Sequence, residues 1–468
     1  MRIQDTKTGK LVEFKPINEG EIGMYVCGPT VYDLGHLGHG RSAVSFDLMR
    51  RYFMYKGYKV KFVSNYTDID DKMINRAKEK GITVEQLANE IIPEYIKDYT
   101  ALGVLTPDVS PKATDKDSIA EMIKIIEKLE KKGHTYVLDD GVYFDVKTFK
   151  EYGEFSRQKL EDLKVGARID VKEDKKNPYD FVLWKFKKDG EPAWASPWGE
   201  GRPGWHIECS AMSFVHLGEK FDIHGGGLDL VFPHHECEVA QSLCAFGPDA
   251  FAKYWMHNGF INIDNEKMSK SLGNFFTLRN VFEKYDPKVV RFMFLQTHYR
   301  NPINFSFDLL EQSKAGLERI RNFVRGLKVG YEDLSKNTDE IPAVKITVDA
   351  EHEKKGFEQY MDNDFDVSGA LGVVFDLLKT VNGLRDAKKL TQKDIGQAEK
   401  FLKDVDKVLG VIFEEQKDLD DEIKALIKQR EEARKSKDFA MSDKIRDELK
   451  AKGIELDDTP NGTIWKRI

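Results

Sequence analysis

The chain of 468 residues is 40% hydrophobic and 33% charged, with a formal net charge of −7, the balance of a soluble globular protein of two to four domains. It has no run of about 18 apolar residues to span a bilayer, and its start, MRIQDTKTGK, lacks the apolar segment of a secretion signal. The acidic balance argues against indiscriminate nucleic-acid binding through one large basic surface, though not against a local basic patch.

In chain order, residues 22–27 (IGMYVC) read as a buried strand. A Gly28-Pro29 turn follows, then glycines at 35, 38 and 40, and a helix from about Ser42 to Tyr55 with a broad apolar face, stopped by Gly57. Residues 59–67 (KVKFVSNYT) read as a second strand, which completes a β-α-β unit. Residues 116–195 break the pattern with a helix near 117–132, a short hairpin (YVLDDGVYFDV) and a charged loop at 171–178, and are predicted to form an insertion. The α/β pattern resumes with strands at 221–224 and 254–263 and a helix from about His234 to Phe246. After residue 306 the pattern is helical. Val367, Ala370, Leu371, Val374, Phe375, Leu378, Val381 and Leu384 trace one bundle face, with a loop expected at 332–347. Two charged helices at about 418–435 and 438–452 precede a terminal hairpin that turns at Asn461-Gly462. The predicted fold is therefore a Rossmann-like parallel α/β domain (1–115 and 196–305) with a connective insertion (116–195), a helical bundle (306–410) and a small C-terminal α+β domain (411–468).

Two short motifs carry chemistry. His36-Leu37-Gly38-His39 sits between strand and helix, where glycine allows close approach to a ligand and a helix N-terminus favours phosphate; two histidines there can donate to charge developing at a phosphoryl centre. Lys267-Met268-Ser269-Lys270-Ser271 lies some 230 residues downstream and suits a loop that clamps pyrophosphate with flexible point charges. Taken singly, the first motif fits two polar loop histidines equally well, and the second fits a solvated charge run. A Gly199-x-Gly201-x-x-Gly204 match follows Ser-Pro-Trp rather than a strand and is not a dinucleotide fingerprint.

A third constellation involves the cysteines. Four of them (Cys27, Cys209, Cys237 and Cys244) cannot form a disulfide framework, and clustered thiols in a reducing cytosol more often serve metal binding or chemistry. Cys27 ends the first strand beside HLGH, and Cys209 follows Gly204-Trp205-His206-Ile207-Glu208. His234 and Glu238, four apart, share one helix face. Two thiolates, an imidazole and a carboxylate form a competent zinc set. Spacing alone leaves Cys237 an equal claimant to the fourth position, and it fits buried, inert thiols as readily as ligands.

Order and separation of the two motifs resemble the class I aminoacyl-tRNA synthetases, with leucine for isoleucine in the first. The strings CGPTVYDLGHLGH, YTDIDDK, PWGEGRPGWHIECSAM, FDIHGGGLDLVFPHHECEVAQS and KMSKSLGN resemble the cysteinyl-tRNA synthetase family over nearly the whole chain. The resemblance implies zinc on Cys27, Cys209, His234 and Glu238, leaving Cys237 and Cys244 outside the site. It implies ATP contacts from Thr30, His36, His39, Lys267 and Lys270, with Mg²⁺ accompanying ATP, and amino-acid contacts from Gly28, Thr67, Trp205 and Asp229. His224 is placed in or beside the same cavity. Zinc suits the task because shape discriminates weakly between cysteine and serine, whereas a thiol with a pKa of about 8.5 is readily bound as thiolate. The resemblance further implies L-cysteine, ATP and tRNA(Cys) as partners of a cytoplasmic monomer without a membrane association.

Between Lys424 and Lys452 there are ten Lys/Arg and six Asp/Glu, a local positive excess in an acidic chain. The resemblance assigns the bundle and the C-terminal domain to tRNA; the same charge density also fits a pair of solvated helices. Trp465 can stack on a base or pack into the hairpin. Ligases that couple a cysteinyl adenylate to an amino-sugar inositol resemble the catalytic half but largely lack the C-terminal region present here. A catalytically silent derivative is disfavoured by intact HLGH and KMSKS motifs.

Overall fold

The structure is a computed structural model that describes residues 1–158, 174–263, 266–267, 276–336, 347–413, 421–459 and 462–467. The chain divides into two compact units, one of Met1–Leu310 with Tyr360–Ser368 and the other of Glu311–Gln359 with Gly369–Ile468.

At the centre of the first unit is a four-stranded parallel sheet of β1 (Glu21–Val26), β2 (Lys59–Ser64), β3 (Lys220–Gly227) and β4 (Phe251–Asn258), in the order β4-β3-β1-β2. The strand order reverses between β1 and β3, so their carboxyl ends diverge around a crevice, the usual ligand position in open parallel sheets. Tyr25, Val63, Phe221 and Trp255 pack as a core beside it. The strand expected at 254–263 ends at Asn258, and Ile261–Ile263 pairs instead with Ile303–Phe305 and Glu266–Lys267. The break lies at Gly259, whose added Cβ would lie 2.6 Å from the carbonyl oxygens of Arg300 and Asn301.

Helix α1 spans Leu37–Tyr55, five residues earlier at its start than expected. His36 is its N-cap, and a capping box ties the His36 side chain to the first turn and the His39 side chain back to the His36 backbone. HLGH is thus the cap and first turn of the helix rather than a loop before it. Histidine is outside the usual N-cap set of Ser, Thr, Asp and Asn, so pattern reading misses this start. Leu37, Val44, Phe46, Leu48, Met49, Tyr52 and Phe53 are buried. Arg41, also buried, donates to the carbonyls of Phe294, Thr297 and His298 at the C-terminus of a helix spanning Pro287–Gln296, where a cation meets the negative helix end.

Helix α2 spans Val84–Ala101 behind a Thr83/Gln86 capping box. Pro93 lies inside it, against helical propensity; burial of Leu87, Ala88, Ile91 and Tyr95 supplies the tertiary support. The insertion forms a helix, Lys116–Lys131, and an antiparallel sheet of Thr135–Leu138, Gly141–Phe144, Phe181–Phe186 and Gly201–Pro203, which reaches past residue 195. Of the charged loop expected at 171–178, residues 171–173 lie outside the described residues. Helices α3 (Trp205–Leu217) and α4 (Glu236–Phe246) flank β3 in sequence. An irregular turn, Val231–His235, precedes α4.

The second unit is built on the helix Phe307–Lys336, which starts in the first unit, and on Val367–Asp386 and Gln392–Leu409. Helix persists to Lys336 where a loop was expected from 332, and residues 337–346 lie outside the described residues. Val367–Asp386, with mean hydropathy 1.3 over its most apolar window, is the one helix among the described residues long and apolar enough to cross a membrane. Ala370, Leu371, Val374, Leu377, Leu378 and Val381 form its buried stripe, as the core face of a bundle helix requires. Helices Asp421–Lys435 and Phe439–Ala451 and a hairpin of Ile454–Thr459 and Gly462–Arg467 surround a small core of Ile423, Ile445, Leu449, Ile454 and Leu456, with Trp465 packed against it. Asn461 of the expected turn lies outside the described residues.

Candidate active site and metal centre

A cavity of about 450 Å³ opens where the parallel strands end. Cys27, Gly28 and Thr30 reach it from the end of β1, His36 and His39 from the start of α1, Trp205 from the start of α3, and Asp229 from the turn after β3. Seven of the predicted site residues are therefore gathered by four separate segments. Gly28 must be glycine, since a Cβ there would sit 1.6 Å from the Asn65 carbonyl oxygen. Its N–H donates to Asn65 Oδ1 at 2.8 Å, which ties the ends of β1 and β2 together. Thr67 is not part of the lining. It is 2% exposed and its hydroxyl donates to Glu208 Oε2 at 2.8 Å. Burial pushes the Glu208 carboxyl well above the usual carboxylate range, against the lowering effect of that hydrogen bond.

Behind the cavity lies a dense cluster of donor atoms. Cys27 Sγ is 3.6 Å from Cys209 Sγ, 3.7 Å from His234 Nε2, 3.4 Å from His235 Nε2, 3.5 Å from His224 Nε2 and 3.7 Å from Glu238 Oε1. His234 Nε2 lies 3.1 Å from Glu238 Oε1, the contact expected from their i, i+4 spacing. The ligand atoms of Cys27, His234, His235 and Glu238 all fall within 4.8 Å of one another. Three of the four predicted ligands thus share one small volume, and the fourth, Cys209, touches it through Cys27. His235 is the residue that pattern reading passed over; the adjacent histidines of Pro233-His234-His235-Glu236 were the only signal.

The grouping of thiol, imidazole and carboxylate donors is consistent with a metal site, and its imidazoles and carboxylate are deeply buried. Burial pushes the Cys27 thiol and the Glu238 carboxyl well up and the His234 and His235 imidazoles well down, while His206, His224 and His257 are each lowered by burial to about 3. Each shift disfavours the charged form, with burial the largest cause in every case. Glu238 Oε2 and His224 Nδ1 are buried without a hydrogen bond, although Glu238 Oε2 is only 3.4 Å from His224 Nε2. Buried polar atoms left in this way are costly unless a ligand or ion completes them. Outer contacts orient the rings. His234 Nδ1 is 3.0 Å from His206 Nδ1, and His235 Nδ1 is 2.7 Å from His257 Nε2, an arrangement that leaves the Nε2 atoms turned toward Cys27. Trp205 stacks over His234 with ring centroids 4.3 Å apart. Cys237 and Cys244 are buried elsewhere, Cys237 beside the Tyr152 hydroxyl at 3.3 Å.

Lys267 ends a short strand, its backbone paired with Asn262. Lys270 lies outside the described residues. On the far side of this stretch the backbone returns to HLGH. Leu37 N–H donates to the Phe276 carbonyl at 3.3 Å and Leu278 N–H to the Gly35 carbonyl at 2.9 Å. Both flanks of the second motif are therefore close in chain to segments bordering the cavity.

Residues 13–315 match the family of class I (C) tRNA synthetase catalytic domains, residues 356–414 the DALR domain, and residues 416–465 the cysteinyl-tRNA ligase anticodon-binding domain. The chain is 49% identical to a cysteine–tRNA ligase of Actinobacillus pleuropneumoniae (serotype 5b, strain L20) over the full length of both. It is 48% identical to one of Thermococcus gammatolerans over all of this chain and 99% of the relative. Its fold resembles a Mycobacterium tuberculosis methionyl-tRNA synthetase in complex with methionyl-adenylate (TM-score 0.61, 14% identity, 84% of this chain and 90% of the other). It also resembles a LeuRS–tRNA–LeuAMS complex of Agrobacterium radiobacter K84 (TM-score 0.62, 10% identity, 86% and 85%). With a catalytic-domain match over most of its length and near-half identity to full-length relatives, the chain belongs to the cysteine–tRNA ligase family of class I aminoacyl-tRNA synthetases.

Proposed function

We propose that this chain activates L-cysteine with ATP and transfers the cysteinyl group to the terminal ribose of tRNA(Cys). The observation that carries the reading is the juxtaposition of HLGH, at the N-terminus of α1, with a buried thiol–imidazole–carboxylate cluster across a single cavity. Cysteine enters with its side chain toward Cys27; Trp205 covers it, Asp229 accepts from its ammonium group, and the Gly28 backbone leaves room for it. Thr67, whose hydroxyl is engaged with Glu208, acts from behind the lining, where its backbone pairs with that of Thr30. Thr30, His36 and His39 meet ATP, and the two imidazoles donate to charge growing at the α-phosphate as the cysteine carboxylate attacks. Lys267 and Lys270 hold the departing pyrophosphate, with Mg²⁺ arriving on ATP. No protein nucleophile is required, since positioning and charge stabilisation suffice.

Cys27, Cys209, His234 and Glu238 would hold zinc, which when bound supplies a soft Lewis acid that favours a substrate thiolate over a hydroxyl. A second set, with His235 in place of Cys209, is favoured by the four-atom grouping noted above. The C-terminal domain, with its local excess of Lys and Arg, meets the tRNA through basic residues other than buried Arg430, which together with Arg434 and Arg446 is ion-paired to Asp458. We read the enzyme as a cytoplasmic monomer.

The test is cysteine-dependent ATP–pyrophosphate exchange in zinc-loaded protein, followed by charging of tRNA(Cys). Absence of exchange would refute the enzyme reading, and exchange without charging would favour a different acceptor. Lys270→Ala is expected to slow exchange by roughly 100-fold, the scale of losing one charge-stabilising contact, with zinc content unchanged. A normal exchange rate in that variant would remove Lys270 from the site.

A further inference from the structure

The two imidazoles of HLGH are held from behind. His36 Nδ1 accepts the backbone N–H of Gly38 at 3.0 Å, and the His36 and His39 rings stack with centroids 3.7 Å apart. Nδ1 of His39 lies 3.3 Å from the backbone nitrogen of His36 and 3.2 Å from the Tyr95 hydroxyl. A peptide N–H can only donate, so His39 Nδ1 carries its single lone pair, and the Tyr95 O–H shares that lone pair as a second, bifurcated donor at the shorter distance. With Nδ1 accepting, the proton of the neutral ring sits on Nε2.

Tyr95 is well placed to enforce this. It lies on α2, is 1% exposed, and meets the His39 ring edge-on at 5.4 Å. Burial holds its phenol well above the usual range, so it remains a donor. The residues beside it are anchored. Glu94 and Asp98 ion-pair with Arg279, which reaches Asp98 Oδ1 through Nε at 3.3 Å. Arg279 follows Leu278, whose N–H is bonded to Gly35 just before HLGH. Helix α2 and the start of α1 therefore share one anchor, and the Tyr95 hydroxyl has little freedom to leave His39.

We propose that Tyr95 is a positioning residue for adenylate formation, its hydroxyl holding His39 as the Nε2–H tautomer so that a donor is presented to the phosphate side of the cavity. This rests on the role proposed above for His39.

Tyr95→Phe removes one oxygen and keeps the ring. The expected result is a roughly tenfold lower kcat for cysteine-dependent pyrophosphate exchange, with KM for cysteine and ATP within about twofold. In ¹⁵N-histidine spectra, His39 (assigned by its loss in His39→Ala) should be the Nε2–H tautomer in the wild type and gain an Nδ1–H fraction in Tyr95→Phe, where only the long 3.3 Å contact from the His36 N–H still opposes that form. The double variant should be no slower than His39→Ala alone, because Tyr95 acts through that ring. Wild-type exchange and an unchanged tautomer in Tyr95→Phe, while His39→Ala is slow, would overturn the proposal and leave the role of His39 standing. Additive losses in the double variant would also overturn it. Were Tyr95→Phe not to fold, a wild-type His39 observed as the Nδ1–H tautomer would overturn it without any variant. Full exchange activity in His39→Ala would overturn the reading beneath it.

Discussion

Cys27→Ser is expected to lower bound zinc from about one per chain to a small fraction and to cut cysteine-dependent exchange by at least ~1,000-fold, beyond the 10–100-fold typical of changes to outer-shell partners. Cys27 is the hub of the cluster. Its sulfur alone touches Cys209, His224, His234, His235 and Glu238. Serine keeps the size and removes the soft donor, so the loss reports on ligation rather than packing. Cys237→Ala and Cys244→Ala serve as controls and should retain the metal, because neither residue takes part in the cluster. X-ray absorption on the wild type then separates the two ligand sets. Two sulfur scatterers near 2.3 Å would support Cys27 with Cys209, and one sulfur with an additional nitrogen near 2.0 Å would support His235. Full zinc content in Cys27→Ser would refute both.

Much of this site was legible because its residues sit where chain geometry is simple. The apolar run before Cys27 and the Lys59–Ser64 segment read as parallel strands, and strand ends are where such sheets bind ligands. His234 and Glu238 met as their four-residue spacing requires. What could not be read were contacts between segments far apart in sequence. Thr67 and Glu208 are 141 residues apart, and no local pattern announces that the hydroxyl is spent on a buried carboxylate. His235 finds its partner in His257 on a different element. The early start of α1 escapes a pattern reading because the capping groups are imidazoles, which lie outside the usual set of cap residues. Tyr95 reaches His39 only because α2 forms despite Pro93, a case in which tertiary burial outweighs local propensity.

Asp47→Ala is expected to destabilise the first unit by about 3–5 kcal/mol, the usual cost of breaking a buried ion pair from one side, and to lower its melting midpoint by roughly 5–10 °C. Asp47 lies on α1, with its side chain 1% exposed. Its Oδ2 sits 2.6 Å from Arg291, whose side chain is 0% exposed, and 2.8 Å from Arg51. Its Oδ1 accepts the Leu105 N–H at 2.8 Å. Alanine would leave the Arg291 charge buried without its carboxylate. Burial works to raise the Asp47 carboxyl, but Arg291, Arg51 and the Leu105 N–H together hold it below the usual value of 3.8. The sign follows from linkage. A carboxyl more acidic in the folded state binds fewer protons there than in the unfolded chain, so its contribution is complete above about pH 4 and is lost as pH falls through the folded value. The stability gap between wild type and Asp47→Ala, measured by urea unfolding, should therefore be constant from pH 7 to about 5 and narrow below 4. A gap that persisted undiminished at pH 3 would show that the effect is one of packing rather than charge. Since α1 begins at HLGH, the same variant should slow pyrophosphate exchange well below its melting range, because the ion pair fixes the helix that presents both histidines to the cavity.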